Sequence, residues 1–422
     1  MSTPSSRNAL RSLKRELTFA YFRIVFFVYR QLFASLSRFH EKYIVESTRR
    51  KQWFYRAKFP VFREPHFIGE VPAVTAADSA LAQVVQHYWL RLRSKVPSDQ
   101  TVWTLEFQGA EDLVQQLEAT DTQRLALMLN GMFHSSYIQG IAHGFRHTAM
   151  PSSRLQVPVV VEDRLISLAE YLGVVAAETI EQGICGLAMK NGLEPVVAAI
   201  ERSLGFSLSF PENFGASGIK VGNRVITQRQ AEHVYTACRL AASWRQFGGA
   251  RTGLAITEIG AGYGGLCLWI HRVFGQQLRK YYIIDLPWVN VFQSYFLKKV
   301  FGDAAVAFWN DDAEKIEAAT IVVCSSETAE AFLRDQPDSD IYLNQDSLPE
   351  MPEAVARNYL QWVAGKAGAL FFSYQQENGH SVGRAGQSNV HELMLAVPAM
   401  QLQCRNLSWT RDGYTEETYR VA

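Results

Sequence analysis

The stretch Ala255-Ile-Thr-Glu258-Ile-Gly260-Ala-Gly262-Tyr-Gly264-Gly265 places an apolar run directly before a glycine-rich turn. Glycines let the backbone bend sharply and approach a ligand closely, and a helix that starts at such a turn presents free N–H groups at its N-terminus. An apolar helical pattern follows the glycines. We therefore predict a strand over Leu254–Ile259, a ligand-binding turn and a helix over Gly265–Phe274.

The carboxylate of Asp285 ends the next predicted strand, Tyr281–Asp285. A carboxylate at that position can accept hydrogen bonds from both ribose hydroxyls of a bound nucleoside. The turn and Asp285 together suit a dinucleotide, whose GxGxxG spacing is also met here, or S-adenosylmethionine (SAM). Glu258 favours SAM, because a carboxylate beside the turn would repel a pyrophosphate but attract a sulfonium and an ammonium group.

Strands and helices alternate along the rest of the chain after Leu254, which predicts a Rossmann-like α/β fold with a mainly parallel sheet and helices on both faces. Two last strands around Asp412–Gly413 predict an antiparallel C-terminal hairpin. The other predicted strands are Ala305–Trp309, Thr320–Cys324, Asp340–Asn344 and Ala369–Tyr374.

Three regions follow from the pattern: a basic amphipathic helical segment at 1–60, a helical region at 61–226 and the SAM-binding α/β domain at 227–422. The helical region is interpreted as shaping an acceptor site or an oligomer interface. Its last part, 205–226, is rich in Gly, Pro, Asn and Ser and predicts a loop or small hairpin. Pro151 and Pro158 are expected to separate helices.

Composition and charge exclude several classes of protein. The 422 residues are 48% apolar and 20% charged, the balance of a globular rather than a disordered or fibrous chain. The net charge of +1 argues against a nucleic-acid-binding protein. Five cysteines without a CxxC pair indicate a reducing compartment, and no uninterrupted apolar run is long enough to span a membrane.

The N-terminal segment 1–60 carries 13 Lys and Arg against 3 Asp and Glu beside a wide aromatic helical face. Two interpretations stay open: the helix packs on its own domain or on a second subunit of a homo-oligomer, or it lies in a membrane surface and meets anionic lipid. Arg23 and Arg30 interrupt the apolar run, so no signal peptide is predicted. We expect a cytoplasmic protein, which the second interpretation places peripherally at the inner face of the membrane.

The motif EIGAGYGGL at 258–266 resembles the first motif of class I SAM-dependent methyltransferases, whose last element is also a β-hairpin. More narrowly, residues 194–380 resemble the sugar O-methyltransferase family. The resemblance covers less than half of the chain, and residues 1–190 match only loosely. The segments that carry it are FPENFGASGIKVGNRVIT (210–227), EIGAGYGGL, YYIIDLPWVN (281–290) and DIYLNQDSLPEMPEAVARNYLQWV (340–363).

The resemblance implies a role for individual positions of this chain. Asp285 would hold the ribose of SAM, and Asn344 would face the transferable methyl group. Arg239 is either a partner of the SAM carboxylate or a solvated helix charge. The amino-acid end of SAM would be lined by Glu258, Gly260, Gly262 and Gly264, and the adenine would lie near Asn310 and Asp311.

Methyl transfer to a hydroxyl needs alignment of the reacting atoms and a group that withdraws the hydroxyl proton. Candidate bases follow the carboxyl ends of predicted strands: Asp346, Glu350 and His380. Asp346 could instead be a helix N-cap, Glu350 part of a capping box with Ser347, and His380 a surface histidine. A divalent metal would serve the same purpose, but no ligand set indicates one and we predict no metal site.

The function that these features favour is transfer of a methyl group from SAM to a hydroxyl of a sugar or glycan, with a polysaccharide or a lipid-linked glycan as candidate acceptors. Two alternatives stay open. One is a nicotinamide-dependent sugar oxidoreductase or epimerase, against which stand Glu258 and the lack of a clear YxxxK motif. The other is a non-catalytic scaffold that keeps the fold at a membrane surface.

Overall fold

The computed structural model describes residues 24, 66–92, 111–135, 153–177, 191–211, 214–249, 251, 253–376, 388–411 and 413–422. Contacts divide the chain into one unit of Met1–Phe59 with Glu178–Gly186 and another of Pro60–Ala177 with Leu187–Ala422. The first unit lies almost wholly outside the described residues, so the predicted helix of segment 1–60 stays a prediction. None of the helices in the described residues is both long and apolar enough to cross a membrane.

An eight-stranded mixed sheet dominates the second unit, in the order β10-β11-β9-β8-β4-β5-β7-β6. Strands β4 to β9 run parallel, whereas β11 pairs antiparallel with both β9 and β10. The predicted Rossmann-like sheet with a C-terminal antiparallel hairpin is therefore confirmed. Its strands are β4 Leu254–Ile259, β5 Leu278–Asp285, β6 Val306–Phe308, β7 Ile321–Ser325, β8 Ile341–Gln345, β9 Leu370–Gln376, β10 Met400–Leu407 and β11 Tyr414–Val421.

Helices cover both faces of this sheet, which explains why β4, β7 and β8 are buried along their whole length and lack polar alternation. Strand β10, by contrast, is mostly exposed, and its register with β11 shifts at a β-bulge between Leu402 and Cys404. The helices of this part are α6 Gln230–Ser243, α7 Gly265–Phe274, α8 Pro287–Phe301, α9 Ala313–Ala318, α10 Ala329–Asp335, α11 Glu353–Ala364 and α12 Val390–Leu395.

The helices that precede the sheet share one hydrophobic core with α6, α7 and α8. On the first of them, Tyr88 stacks on Phe308 at 4.0 Å between ring centroids and donates to Asn290 Oδ1 at 3.2 Å. Helix α8 consequently lies between the sheet and these helices, and its residues 287–298 are all buried. The preceding helices are α1 Ala76–Leu92, α2 Glu111–Glu118, α3 Thr122–Asn130, α4 Ser153–Tyr171 and α5 Glu194–Leu204.

A small antiparallel sheet of β1 His66–Ile68, β2 Ser217–Val221 and β3 Arg224–Thr227 precedes α6, so the hairpin predicted within 205–226 is present. The prediction that Pro158 separates two helices was wrong, because this proline lies inside α4. A proline inside a helix removes one amide donor and crowds the carbonyl four residues before it, and α4 continues despite both effects.

Candidate ligand-binding site

The glycine-rich turn joins β4 to α7 at the carboxyl edge of the sheet. Gly260, Gly262 and Gly264 have φ angles of 75°, 58° and 86°, all in the left-handed region that favours glycine. A Cβ atom on Gly260 would lie 2.0 Å from Ser347 Oγ, and one on Gly264 would lie 3.0 Å from Leu297 Cγ. The backbone angles therefore favour glycine at all three positions, and the surrounding side chains also crowd a Cβ atom at Gly260 and Gly264.

Asp285 stands beside this turn at the end of β5. Its Oδ2 accepts hydrogen bonds from the Gly262 amide at 3.0 Å and from Gln293 Nε2 at 3.3 Å, and its Oδ1 accepts from the Leu286 amide at 2.8 Å. Burial raises the pKa of Asp285 to about 7 despite these donors. The carboxyl group is partly exposed and keeps acceptor capacity, since each carboxylate oxygen offers two lone pairs.

Glu258 lies one layer deeper than the turn and is 1% exposed. Its Oε2 accepts from the Tyr281 hydroxyl at 2.6 Å. Burial raises the pKa of Glu258 to about 8, and the nearby charge of Asp285 acts in the same direction. Without a cationic partner the side chain is thus mainly protonated at neutral pH. A ligand cation beside it would favour the ionised form, so its binding would release the proton.

Asn344 ends β8 and is completely buried. Its amide nitrogen donates to the Ile259 carbonyl and to Ser347 Oγ, both at 2.5 Å. Its Oδ1 accepts from the Leu348 amide at 3.1 Å and from Gln375 Nε2 at 2.5 Å. These four bonds satisfy the side chain, which therefore ties the ends of β4, β8 and β9 together and does not fit the predicted role of facing a methyl group.

Asn310 and Asp311 follow β6 in the chain. Strand β6 is the outermost strand of the sheet, and β7 lies between β6 and β5. Neighbouring strands are about 4.8 Å apart, so this loop starts two strands, roughly 10 Å, from the end of β5. Asp311 accepts from the Phe308 amide at 2.9 Å and pairs with Lys315 at 2.8 Å.

Strand β7, rather than β6, pairs with β5, and Ser325 lies directly opposite Asp285. The turn that follows, Ser326–Thr328, is therefore better placed than Asn310 or Asp311 to contact an adenine. Sequence reasoning missed this because 305–309 and 320–324 were equal strand candidates and nothing in the chain orders them.

Asp346 directly follows β8 and has a φ of 70°, the one positive φ at a non-glycine residue in the described ranges. Its Oδ2 accepts from Arg229 Nη1 at 2.9 Å and from Arg411 Nη1 at 2.7 Å. Such backbone strain concentrates at functional sites, and here the two guanidinium groups occupy Oδ2 of the carboxylate. The other carboxylate oxygen, Oδ1, accepts no hydrogen bond from the described residues and is the atom through which Asp346 would act as a general base.

The other two candidate bases are less constrained by the structure. Glu350 ends a short 3-10 turn, and the capping box suggested for it does not form, because Ser347 Oγ donates to the Ile259 carbonyl at 3.0 Å instead of capping. His380 lies outside the described residues. Their roles as bases stay predictions.

Arg239 is neither a solvated charge nor directed at the turn. Its Nε lies 2.5 Å from Oε2 of Glu416, a β11 residue that is 1% exposed and also accepts from the Tyr235 hydroxyl. The ion pair joins α6 to β11, so the predicted contact with a SAM carboxylate is not supported by this geometry.

A different set of charges, which we call the arginine cluster, lies at the carboxyl edge beside the turn: Arg164, Arg229, Arg411, Glu232 and Asp346. Glu232 Oε1 accepts from Arg229 Nη1 at 3.1 Å and from Arg411 Nη1 at 2.7 Å, and its Oε2 lies 3.0 Å from Arg164 Nη1. Burial alone would raise the pKa of Glu232, but the three guanidinium groups hold it well below its usual range. Sequence spacing could not reveal a cluster whose members come from four distant segments.

No set of three or more His, Cys, Asp or Glu side chains in the described part of the chain is arranged to hold a metal ion. His143, His147 and His380 lie outside this part, so the absence of a metal site stays a prediction.

No protein-family model matches the chain, and no curated protein is similar to it in sequence. Among solved structures, an O-methyltransferase family protein from Burkholderia thailandensis matches at 12% identity and a TM-score of 0.29, over 46% of this chain and 60% of that one. Magnesium protoporphyrin IX methyltransferase from Synechocystis matches at 14% identity and a TM-score of 0.33, over 48% and 90%. Mitomycin 7-O-methyltransferase matches at 12% and 0.33, over 82% and 95%. Scores of this size do not establish a shared function.

Proposed function

We propose that the chain is a class I SAM-dependent methyltransferase. The observation that carries the proposal is the β4 turn, in which three left-handed glycines lie next to Asp285 and the Gly262 amide binds that carboxylate. The position of the turn at the carboxyl end of the first parallel strand and the closing antiparallel hairpin support the same conclusion. When bound, SAM would supply an electrophilic methyl group on a sulfonium.

The residues of this chain fit such a donor. Asp285 has lone pairs left for the ribose hydroxyls, and the left-handed glycines give the backbone the sharp bend of a nucleoside-binding turn. Glu258 offers a carboxyl group that becomes an anion when a cation lies near it, because charge attraction opposes the effect of burial on its pKa.

The finer proposal is that the acceptor is a hydroxyl of a sugar or glycan, which rests on the resemblance of residues 194–380 to the sugar O-methyltransferase family. Asp346, Glu350 and His380 are the candidate bases, and Asp346 is favoured by its strained position directly after β8. Contact of segment 1–60 with anionic lipid, or with a second copy of the chain, belongs to the same proposal and accounts for the basic charge of that segment.

Calorimetric titration with SAM, S-adenosylhomocysteine and NAD⁺ tests the proposal. We expect both adenosyl ligands to bind and NAD⁺ not to bind. Asp285→Asn should weaken SAM binding at least tenfold, because the amide still accepts from the Gly262 amide but cannot accept from both ribose hydroxyls. Asp335→Asn, which changes a half-exposed carboxylate on α10, is the matched control. Binding of NAD⁺ alone would favour the oxidoreductase, and binding of none of the three would favour the scaffold.

A further inference from the structure

The arginine cluster carries one more positive than negative charge. Three guanidinium groups are connected to two carboxylates, and the adjacent His233 adds no charge at neutral pH because burial lowers its pKa to about 4. Excess charge that is shielded from water is costly unless a counter-charge lies beside it. The cluster therefore has the electrostatic requirement for an anion.

Solvent reaches one side of the cluster. The side chains of Arg229, Arg411 and Asp346 are 18%, 14% and 23% exposed, whereas Glu232 and Arg164 are at most 6% exposed. The buried pair thus anchors the two outer guanidinium groups, and the outer groups border the surface. A ligand could reach Arg229 and Arg411 without unfolding any part of the described structure.

Arg229 also has unused donors. It directs Nη1 at Glu232 and Asp346, while its Nε is buried without an acceptor and its Nη2 makes no hydrogen bond in the described structure. Nε and Nη2 form one edge of the guanidinium, and that edge matches the two oxygens of a carboxylate. Arginine forms bidentate hydrogen bonds with carboxylates through such an edge.

Further unpaired atoms belong to the chain segments that carry the cluster. His233 is 8% exposed, and its Nδ1 is buried without a hydrogen-bond partner. Buried polar atoms in folded proteins are nearly always paired, so a local concentration of unpaired ones indicates a missing ligand or ordered water. Other buried side-chain atoms without a hydrogen-bond partner in these segments include Thr227 Oγ1, Gln345 Oε1 and Asp346 Oδ1.

The cluster adjoins the glycine-rich turn, since the His233 ring lies 6.1 Å from the ring of Tyr263, which is part of that turn. It flanks the turn from α6, β8 and the β10–β11 connection, whereas Asp285 flanks it from β5. On a nucleoside held by Asp285, this is the side away from the ribose contact. A group bound at the cluster would therefore lie towards the reacting end of the proposed donor.

We infer that Arg229 and Arg411 form a subsite for a carboxylate. Two sources have this chemistry: the amino-acid end of the donor, or an acidic acceptor such as a uronic acid residue of a glycan. The assignment of the sources rests on the proposed methyltransferase function, but the recognition of a carboxylate does not. Either source neutralises the excess charge and fills the free edge of Arg229.

The test compares ligands that differ in one carboxylate on the unaltered full-length protein. For the donor source, SAM should bind at least tenfold more tightly than decarboxylated SAM, a difference of about 1.4 kcal/mol. For the acceptor source, glucuronate should bind and glucose should not, while the two donors bind equally. If neither pair of ligands is distinguished, the cluster is an internal structural network and the inference is wrong.

Variants assign the effect to the cluster. Arg229→Gln should remove the preference for the carboxylate-bearing ligand, and Arg334→Gln, a mainly exposed arginine on α10, should keep it. Persistence of the preference in folded Arg229→Gln protein would contradict the inference. The two proposals fail separately. If glucuronate binds better than glucose but no adenosyl ligand binds, the methyltransferase function is refuted. If SAM and decarboxylated SAM bind equally and glucuronate and glucose are not distinguished, only the subsite is refuted.

Discussion

At the residue scale, Gly260 shows how much of a binding turn is determined by a single missing side chain. Gly260→Ala combines a positive φ with a Cβ atom 2.0 Å from Ser347 Oγ and 2.4 Å from its Cβ, so the turn must shift. We expect a loss of at least about 2 kcal/mol in the free energy of unfolding and loss of SAM binding. Denaturant unfolding and calorimetry measure the two effects.

Gly205→Ala is the matched control for this change. Gly205 has a similar φ of 77°, but no heavy atom lies within 4 Å of its ideal Cβ position. It should show only the smaller cost of a left-handed alanine, about 1 kcal/mol, and keep SAM binding. Equal destabilisation of the two variants would mean that the contact with Ser347 has no effect.

Glu258 lowers the stability of the ligand-free protein at neutral pH. The pKa of Glu258 is about 8 in the folded protein, above its ordinary value of 4.5, so the folded state binds the proton more tightly. The contribution of the protonated side chain to the free energy of unfolding is fully present below about pH 4.5 and is lost as the pH rises through 8. Glu258→Gln keeps an acceptor for the Tyr281 hydroxyl but has no ionisation. We expect the melting temperature of the variant to rise relative to that of the unaltered protein as the pH increases from 5 to 8. The exposed Glu330→Gln is the control, and a gain independent of pH would contradict the assignment.

Binding of SAM should release protons. Asp285 and Glu258 have pKa values of about 7 and 8 without ligand, and the hydroxyl donors and positive charges of SAM favour their ionised forms. Calorimetry at pH 7 in two buffers of different ionisation enthalpy should show net release, and affinity should rise from pH 6 to pH 8. Proton uptake would show that SAM does not lie near these carboxyls.

At the element scale, the ion pair of Arg239 and Glu416 joins α6 to β11. Arg239→Met leaves the buried carboxylate of Glu416 without its cation, which costs about 3 kcal/mol, whereas Glu416→Gln leaves an arginine that is 20% exposed and should cost less. A double-mutant cycle by denaturant unfolding gives the coupling between them. Additive effects would show that the pair does not couple the helix to the strand.

At the scale of the whole molecule, the shared core makes the sheet depend on the helices before it. A fragment of residues 227–422 would expose the outer face of α8, which α1 covers in the structure. We expect this fragment to lack a cooperative thermal transition, whereas a fragment of residues 60–422 keeps one. Calorimetric scans of the two fragments test this, and a stable 227–422 fragment would establish it as an independent domain.

The sequence predicted the parts of the fold that depend on local pattern. The bounds of β4 and α7 match the prediction, because apolar runs and glycines act within a few residues of themselves. Pro158, the order of β6 and β7, and the saturated amide of Asn344 were not predicted, because each depends on neighbours that are distant in the chain. The arginine cluster is the clearest case, since its members span residues 164–411.

The bulge in β10 bears on how the protein behaves at high concentration. Opposite Tyr419 and Thr418, Gln403 is an extra residue that interrupts the register of an exposed border strand carrying Leu402 and Leu407 on its surface. At the other border, β6 has only three residues. A regular, apolar strand at either border would pair with strands of further copies through its free amides and carbonyls. An irregular or very short strand disfavours such pairing. We therefore expect deletion of Gln403 to increase edge-to-edge association of the protein.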